Sequence, residues 1–269
     1  ELDTLTFYAD RNADADTLAF DFTMHGVDGD KLYGTLNIEV GKGSGTGTKV
    51  TAVTSNGSQD NIEQMDMNTR QLGFVQSDVM SYAYDGTNLF EGMPITNFST
   101  VAALYMEQVQ IVTCNPDIKT VADLKGKTVS IGAAGSGVFY NALDILGAYG
   151  LDYETDINAQ YQDITTLATS KDAYLVSLDD EHIAALQETS PYYSKYVIPE
   201  GTYEGVPETT TVAVSAVIIA RDDVDENDVY NIVSTIFENA DSLAHDKAKE
   251  LDLDFAAGVT NVPYHPGAA

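Results

Sequence analysis

The chain has 269 residues, and its 42 Asp and Glu against 13 Lys and Arg give a formal net charge of −29. That balance excludes nucleic acid as a partner, because phosphate binding needs clustered Lys and Arg, and it works against docking on an anionic membrane surface. The length suits two lobes with real cores, and 43% hydrophobic residues fit a globular protein. The cleanest apolar run, Thr211–Ala220, is about half of what a membrane-spanning helix needs. The single cysteine, Cys114, excludes an intrachain disulfide and a cysteine-rich zinc site. The sequence starts at Glu1 rather than Met, which suggests a processed N-terminus whose signal peptide has been removed.

In chain order, Leu5–Tyr8 is a short strand candidate. Residues 17–24 alternate, with Leu18, Phe20, Phe22 and Met24 on one face. After a Gly/Asp-rich turn a second run places Leu32, Leu36, Ile38 and Val40 on one face, so the spacing predicts a β-hairpin over 17–40. Gly41–Gly47 reads as a flexible connector. From Lys49 the rhythm becomes strand, Gly/Ser turn, helix, strand. Val50–Val53 leads into a helix that turns Ile62 and Met65 inward. Leu72–Val75 is a buried strand before a helix opened by Gln76-Ser77-Asp78. Residues 99–113 hold two strands, and Thr120–Gly126 is a capped turn before the strand Thr128–Ile131. A helix from Gly137 to about Gly147 is expected to bury Val138, Ala142, Leu143, Ile145 and Leu146. Residues 211–219 alternate around Val212, Val214, Ala216 and Ile218, in a strand long enough to pass between lobes. Asp225 N-caps a helix with Val229, Ile232, Val233, Ile236, Phe237 and Ala240 inward. Strands alternating with helices across short Gly loops indicate an α/β fold with largely parallel sheets.

Three strand-to-helix turns carry the chemistry: Thr54–Ser58, Val75–Asp78 and Ile131–Gly137. Each presents unpaired backbone N–H groups at a helix start, where the dipole favours negative charge. Ser hydroxyls add donors, so such turns can hold a carboxylate without arginine, and the chain has only Arg11, Arg70 and Arg221. The plain alternative is ordinary N-capping by Ser and Asp. Gly132–Gly137 also invites a dinucleotide reading, although Ala134 stands where GxGxxG needs its second glycine. Asp156 would then be the ribose-binding acid. The four histidines show no zinc spacing. Asp10–Asp16 has the alternating acids of a calcium loop, but Ala15 replaces the required Gly and Asp21 the bidentate Glu. Tyr192, Tyr193 and Tyr196 fit either a cleft wall or half-buried packing.

From about Thr48 onward the order of segments resembles the TAXI family of TRAP-transporter solute-binding proteins. The stretches that carry the resemblance are GTKVTAVTSNGSQDNI (47–62), LGFVQSDVMSYAYDGT (72–87), KTVADLKGKTVSIGAAGSGVFYNALDILGAYGL (119–151), SPYYSKYVIPEGTYEG (190–205), the strand at 211–220 and NVPYHPGA (261–268). The resemblance implies a two-lobed periplasmic-binding-protein (type II) architecture with crossing hinge strands. Lobe 1 would comprise 1–107 and 213–269, and lobe 2 would comprise 108–212. It also implies a monomeric, extracytoplasmic, non-enzymatic receptor that captures a small organic anion such as glutamate or 2-oxoglutarate, needs no cofactor, and delivers its cargo to membrane TRAP transporter subunits. Ser58 of the GS turn, Gln76 and Asp78 of QSD, and Gly135, Ser136 and Gly137 of GSG fall on motif positions facing the cleft. Gly57 completes the first turn. The sequence departs from the family at the acidic loop and hairpin near the N-terminus, where a glycine-rich loop with paired tyrosines is usual. It departs again after Gln162, where only Asp163–Ser170 precede Tyr174 and lobe 2 is correspondingly shortened. A nucleotide-dependent α/β enzyme using Gly132–Gly137, or a calcium-dependent extracellular module, are the other functional classes that the residues allow.

Overall fold

The computed structural model describes residues 4–10, 17–24, 34–40 and 48–50 by their backbone. It describes residues 53–161, 173–203, 205–242 and 247–269 in full, with Asp246 by backbone. Strands β1 (Thr4–Asp10), β2 (Thr17–Met24), β3 (Gly34–Val40) and β4 (Thr48–Val50) form an antiparallel meander in that order. Phe20 stands opposite Ile38 and Phe22 opposite Leu36, the pairing expected of the 17–40 hairpin. The calcium-like loop, apart from Asp10 at the end of β1, lies outside the described residues, as do the 41–47 connector and the short stretch 163–170.

The remaining elements follow as α1 (Ser58–Asp66), β5 (Leu72–Gln76), α2 (Ser77–Asp85), β6 (Phe98–Gln108), β7 (Val112–Thr113), β8 (Thr128–Ser130) and α3 (Gly137–Ala148). After them come β9 (Asn158–Gln160), β10 (Tyr174–Leu175), α4 (Asp180–Thr189), β11 (Ser194–Ile198), β12 (Thr209–Arg221), α5 (Glu226–Glu238) and α6 (Leu253–Ala256). Local signals set the boundaries. Thr120 and Asp123 form a reciprocal capping box on a short 3-10 turn, and the side chains of Ser136, Asp179, Asp225 and Asp252 accept first-turn amides of α3, α4, α5 and α6.

The sheets are not largely parallel. Among the described strands only β8 and β9 pair in parallel with one another, and β12 runs antiparallel to β5, β6 and β11 alike. Strand–helix alternation implies parallel pairing only when consecutive strands are neighbours. Here β6 carries the chain outward and β12 carries it back alongside, so the two must oppose. One edge of β12 is taken by β6. The other is shared by β11 against Thr209–Ala213 and β5 against Ala216–Ala220, so β12 bridges two sets of strands.

The core sits on both faces of β12. Val212, Val214, Val217 and Ile219 join one cluster with Ile62, Met65 and Val79 of α1 and α2, while Ile218 and Ala220 pack with Val229 and Ile232 of α5. Ile218, which the alternation puts on the face of Val212 and Val214, therefore lies in the other core, and Val217 and Ile219 take the Val212 side instead. The face expected of α3 also needs one correction. Val138 is 53% exposed, while Phe139 and Tyr140 take the inward positions of the first turn. Those rings pack edge-to-face on each other, with Tyr140 stacked on Tyr82 and Phe90, and two large rings pointing inward leave Val138 outward. Ile145 and Leu146 are buried as expected, and Ala142 and Leu143 pack half-buried against the core.

The C-terminal YHPGA stretch fastens onto β6. Tyr264 bridges Thr100 in parallel, and the His265 N–H donates to the Thr100 carbonyl at 2.8 Å. A Cβ on Gly267 would lie 2.2 Å from the Glu226 carbonyl oxygen at the start of α5. Gly267→Ala is expected to destabilise by ~1–3 kcal/mol through overpacking against backbone. Urea denaturation of the two chains checks this.

Candidate functional site

The fold brings the three Gly/Ser turns together. Gly57, the residue before α1, has φ +116°, and a Cβ there would lie 2.9 Å from Ser136 Cα. The Gln59 N–H, in the first turn of α1, donates to the Gly135 carbonyl at 3.1 Å, and Tyr140 OH of α3 donates to Gln59 Oε1 at 2.9 Å. The Gln76 side chain packs directly on Gly137, since a Cβ there would fall 2.3 Å from Gln76 Cδ. Ser58 Oγ accepts the Gln76 N–H at 3.1 Å, which ties the first turn to the second. Ser136 Oγ accepts the Phe139 N–H at 3.2 Å as the cap of α3. Gly57, Ser58, Gln76, Gly135, Ser136 and Gly137 thus form one contiguous patch. The capping reading and the ligand reading coexist at Ser136, because a hydroxyl that accepts one N–H keeps its own proton to donate.

Asp78 belongs to a different layer of the same region. It is 0% exposed and faces the interior. Its Oδ2 accepts from Asn141 Nδ2 at 3.0 Å and stands 3.2 Å from Tyr193 OH, while Oδ1 is buried without a hydrogen-bond partner. Burial, reinforced by the nearby Asp144 carboxylate, pushes its pKa from 3.8 up to about 7. Sequence reasoning missed the residues around it: Asn141, which bonds it, and Asp144, Tyr82 and Ser190 in the same network. Tyr193 is one of the three tyrosines whose sequence fits either a cleft wall or half-buried packing. In the structure it is 2% exposed, and its hydroxyl lies at the centre of these groups.

Beside the patch, Gln76 Nε2 donates to Glu107 Oε2 at 3.1 Å, which leaves Gln76 Oε1 buried without a partner. Burial raises the pKa of Glu107, opposed by the Gln76 hydrogen bond and by Lys247. The two described arginines are engaged elsewhere. Arg221 makes a bidentate pair with Asp223 at 2.6 and 2.7 Å and reaches the Arg70 carbonyl, and Arg70 donates to the Thr69 carbonyl.

The dinucleotide reading does not survive the geometry. The Gly132–Gly137 loop follows the C-terminal end of β8, and the parallel neighbour β9 begins at Asn158. Asp156 therefore lies at the opposite end of the strand pair, held by Lys125 at 2.8 Å. A ribose-binding acid must stand at the C-terminal end of its strand.

Among the described residues no helix is long and apolar enough to cross a membrane. In the solved structures, the alkanesulfonate-binding protein SsuA from Xanthomonas axonopodis pv. citri, bound to MOPS, is similar over 80% of this chain and 70% of that one, at 17% identity and a TM-score of 0.41. The family model described as NMT1-like matches residues 31–163 and again 158–269. The two matches overlap at residues 158–163. Together they span most of the described chain, and the chain belongs to the NMT1-like family.

Proposed function

We propose that this chain is a non-enzymatic, extracytoplasmic solute-binding protein that holds a small organic anion against the turns at 57–58, 76 and 135–137 and passes it to a membrane transporter. The observation that carries this reading is the convergence of two helix starts, those of α1 and α3, on one patch through Gly57, Gln59, Gly135 and Ser136. Helix N-termini attract anions through oriented N–H groups. The net charge of −29 opposes capture at a distance, but a Debye length of about 8 Å confines that opposition to nearby charges. Ser58 and Ser136 donate hydroxyl protons to the ligand, and Asp78 supports the site from below without touching it.

The finer reading takes the family resemblance of residues 47–268 at its word: a dicarboxylate cargo and TRAP-type transporter subunits as partner. Gln76 Oε1, an acceptor beside the Glu107 carboxylate, suits an ammonium group, so glutamate is favoured over 2-oxoglutarate. The lobe division at 107/108 and 212/213 is supported by the pairing of Gln108 with Ala213, which puts both boundaries side by side on the crossing strands.

Melting curves with and without ligand test the reading. At a hundredfold excess over Kd a ligand adds about 2.7 kcal/mol, which is several degrees for a chain of this size. Glutamate is expected to raise the melting temperature, 2-oxoglutarate to raise it less, and an alkanesulfonate to serve as the single-anion comparison. Unchanged curves with all three at saturating millimolar concentration would contradict the proposal.

A further inference from the structure

Asp78 lies in the first turn of α2 and Asp144 on α3, and hydrogen bonds between side chains join the two helices. Tyr193 OH bridges the carboxylates, 3.2 Å from Asp78 Oδ2 and 2.9 Å from Asp144 Oδ2. One hydroxyl proton serves only one of them. The other donors are already committed. Asn141 Nδ2 donates to Asp78 Oδ2 and to the Tyr193 oxygen at 3.0 and 2.8 Å. Tyr82 OH lies 2.7 Å from Asp144 Oδ2 and 2.5 Å from Ser190 Oγ, and Asn88 Nδ2 donates to Asp144 Oδ1 at 3.2 Å. Two buried carboxylates facing one bridging hydroxyl form a network one donor short, and a buried acceptor left without a donor is costly. We propose that a proton on Asp78, shared with Asp144 through the bridging Tyr193 hydroxyl, clasps α2 to α3 and the Tyr192–Tyr193 turn, and that its loss opens this contact between the two halves of the protein.

The groups that face the clasp are acids and phenols. Tyr82 stands on α2 itself, Tyr140 and Asp144 on α3, and Tyr192 and Tyr193 on the turn, with Asp85 behind Tyr192 and Glu63 of α1 behind Tyr140. Burial raises Asp144 as well, against hydrogen bonds from Tyr82, Tyr193 and Asn88. The amides of Val79 and of Asp78 itself, and the Tyr193 hydroxyl, pull Asp78 the other way without offsetting its burial. In the closed contact Asp78 titrates at about 7, against 3.8 for a solvated aspartate. A raised carboxyl pKa stabilises the closed form fully below the open-state value and loses that contribution as pH rises through the closed-state value. Between them the opening constant rises about tenfold per pH unit.

The inference rests on the division into two halves but not on the ligand, and a ligand-free measurement keeps the two proposals separate. Small-angle scattering of the full chain at pH 5 and pH 8.5 is expected to show a larger radius of gyration at pH 8.5. Asp78→Asn, which carries an uncharged side chain of the same shape, is expected to stay compact at both. An unchanged radius in the natural chain, or the same expansion in Asp78→Asn, overturns the proposal. Should Asp78→Asn not fold, carboxyl-carbon NMR of the natural chain decides. An aspartate titrating near pH 7 supports the clasp, and no aspartate titrating above about pH 6 overturns it.

Discussion

Gly57→Ala is expected to destabilise the protein by ~1–3 kcal/mol and to weaken binding of any anion held at the patch. The residue has φ +116°, a conformation that L side chains rarely adopt, and its Cβ would stand 2.9 Å from Ser136 Cα, a backbone atom that cannot rotate away. The added methyl group would force the start of α1 away from the start of α3 and break the Gln59 N–H to Gly135 hydrogen bond. Gly126→Ala is the matching control. Gly126 has φ +73° with nothing within 4 Å of the new Cβ, so it carries strain without collision. Guanidinium unfolding of both variants separates the two. A larger loss at Gly57, with a lost ligand-induced melting shift, is expected only if the contact of the turns matters. Equal losses and intact ligand response would remove that role.

Ile219→Ala carries the other large effect, ~2–5 kcal/mol, because a fully buried side chain is truncated in the middle of β12. Ile219 packs in the cluster that holds Ile62 and Met65 of α1 and Val79 of α2, the helices behind two of the three turns. Ile218, one residue earlier, faces the cluster under α5. Both truncations should lower the urea midpoint. Only Ile219→Ala should also lower ligand affinity, since only that cavity loosens the floor under Ser58 and Gln76. Equal affinity loss in both variants would mean that the site responds to general loosening rather than to its own supports.

The part of this site legible in the sequence was the part written in neighbouring residues. Thr54–Ser58, Gln76–Asp78 and Gly135–Gly137 each place small and polar turn residues at the start of a helix, and local rules are enough to read them. The hairpin over 17–40, the capping box at Thr120–Asp123 and the Asp225 cap are legible for the same reason. What stayed hidden depends on distant partners. Tyr193 meets Asp78 across 115 positions and Tyr82 meets Asp144 across 62, and nothing in either neighbourhood marks the partner. The direction of β12 was hidden likewise, because strand–helix alternation does not say which strands lie side by side. Val138 turns outward because it competes with Phe139 and Tyr140 for the same face at the helix start, and that competition is decided by Tyr82 and Phe90 from elsewhere in the chain.

Amide NMR during a glutamate titration of the full chain tests most directly whether the three turns are a ligand site. Saturable shifts centred on the N–H groups of Gly57, Ser58, Gly135, Ser136 and Gly137, with the side-chain amide of Gln76 moving in step, are the expected result. Saturable shifts that leave those groups unmoved, or no shift anywhere at concentrations where a specific site would be filled, would contradict it.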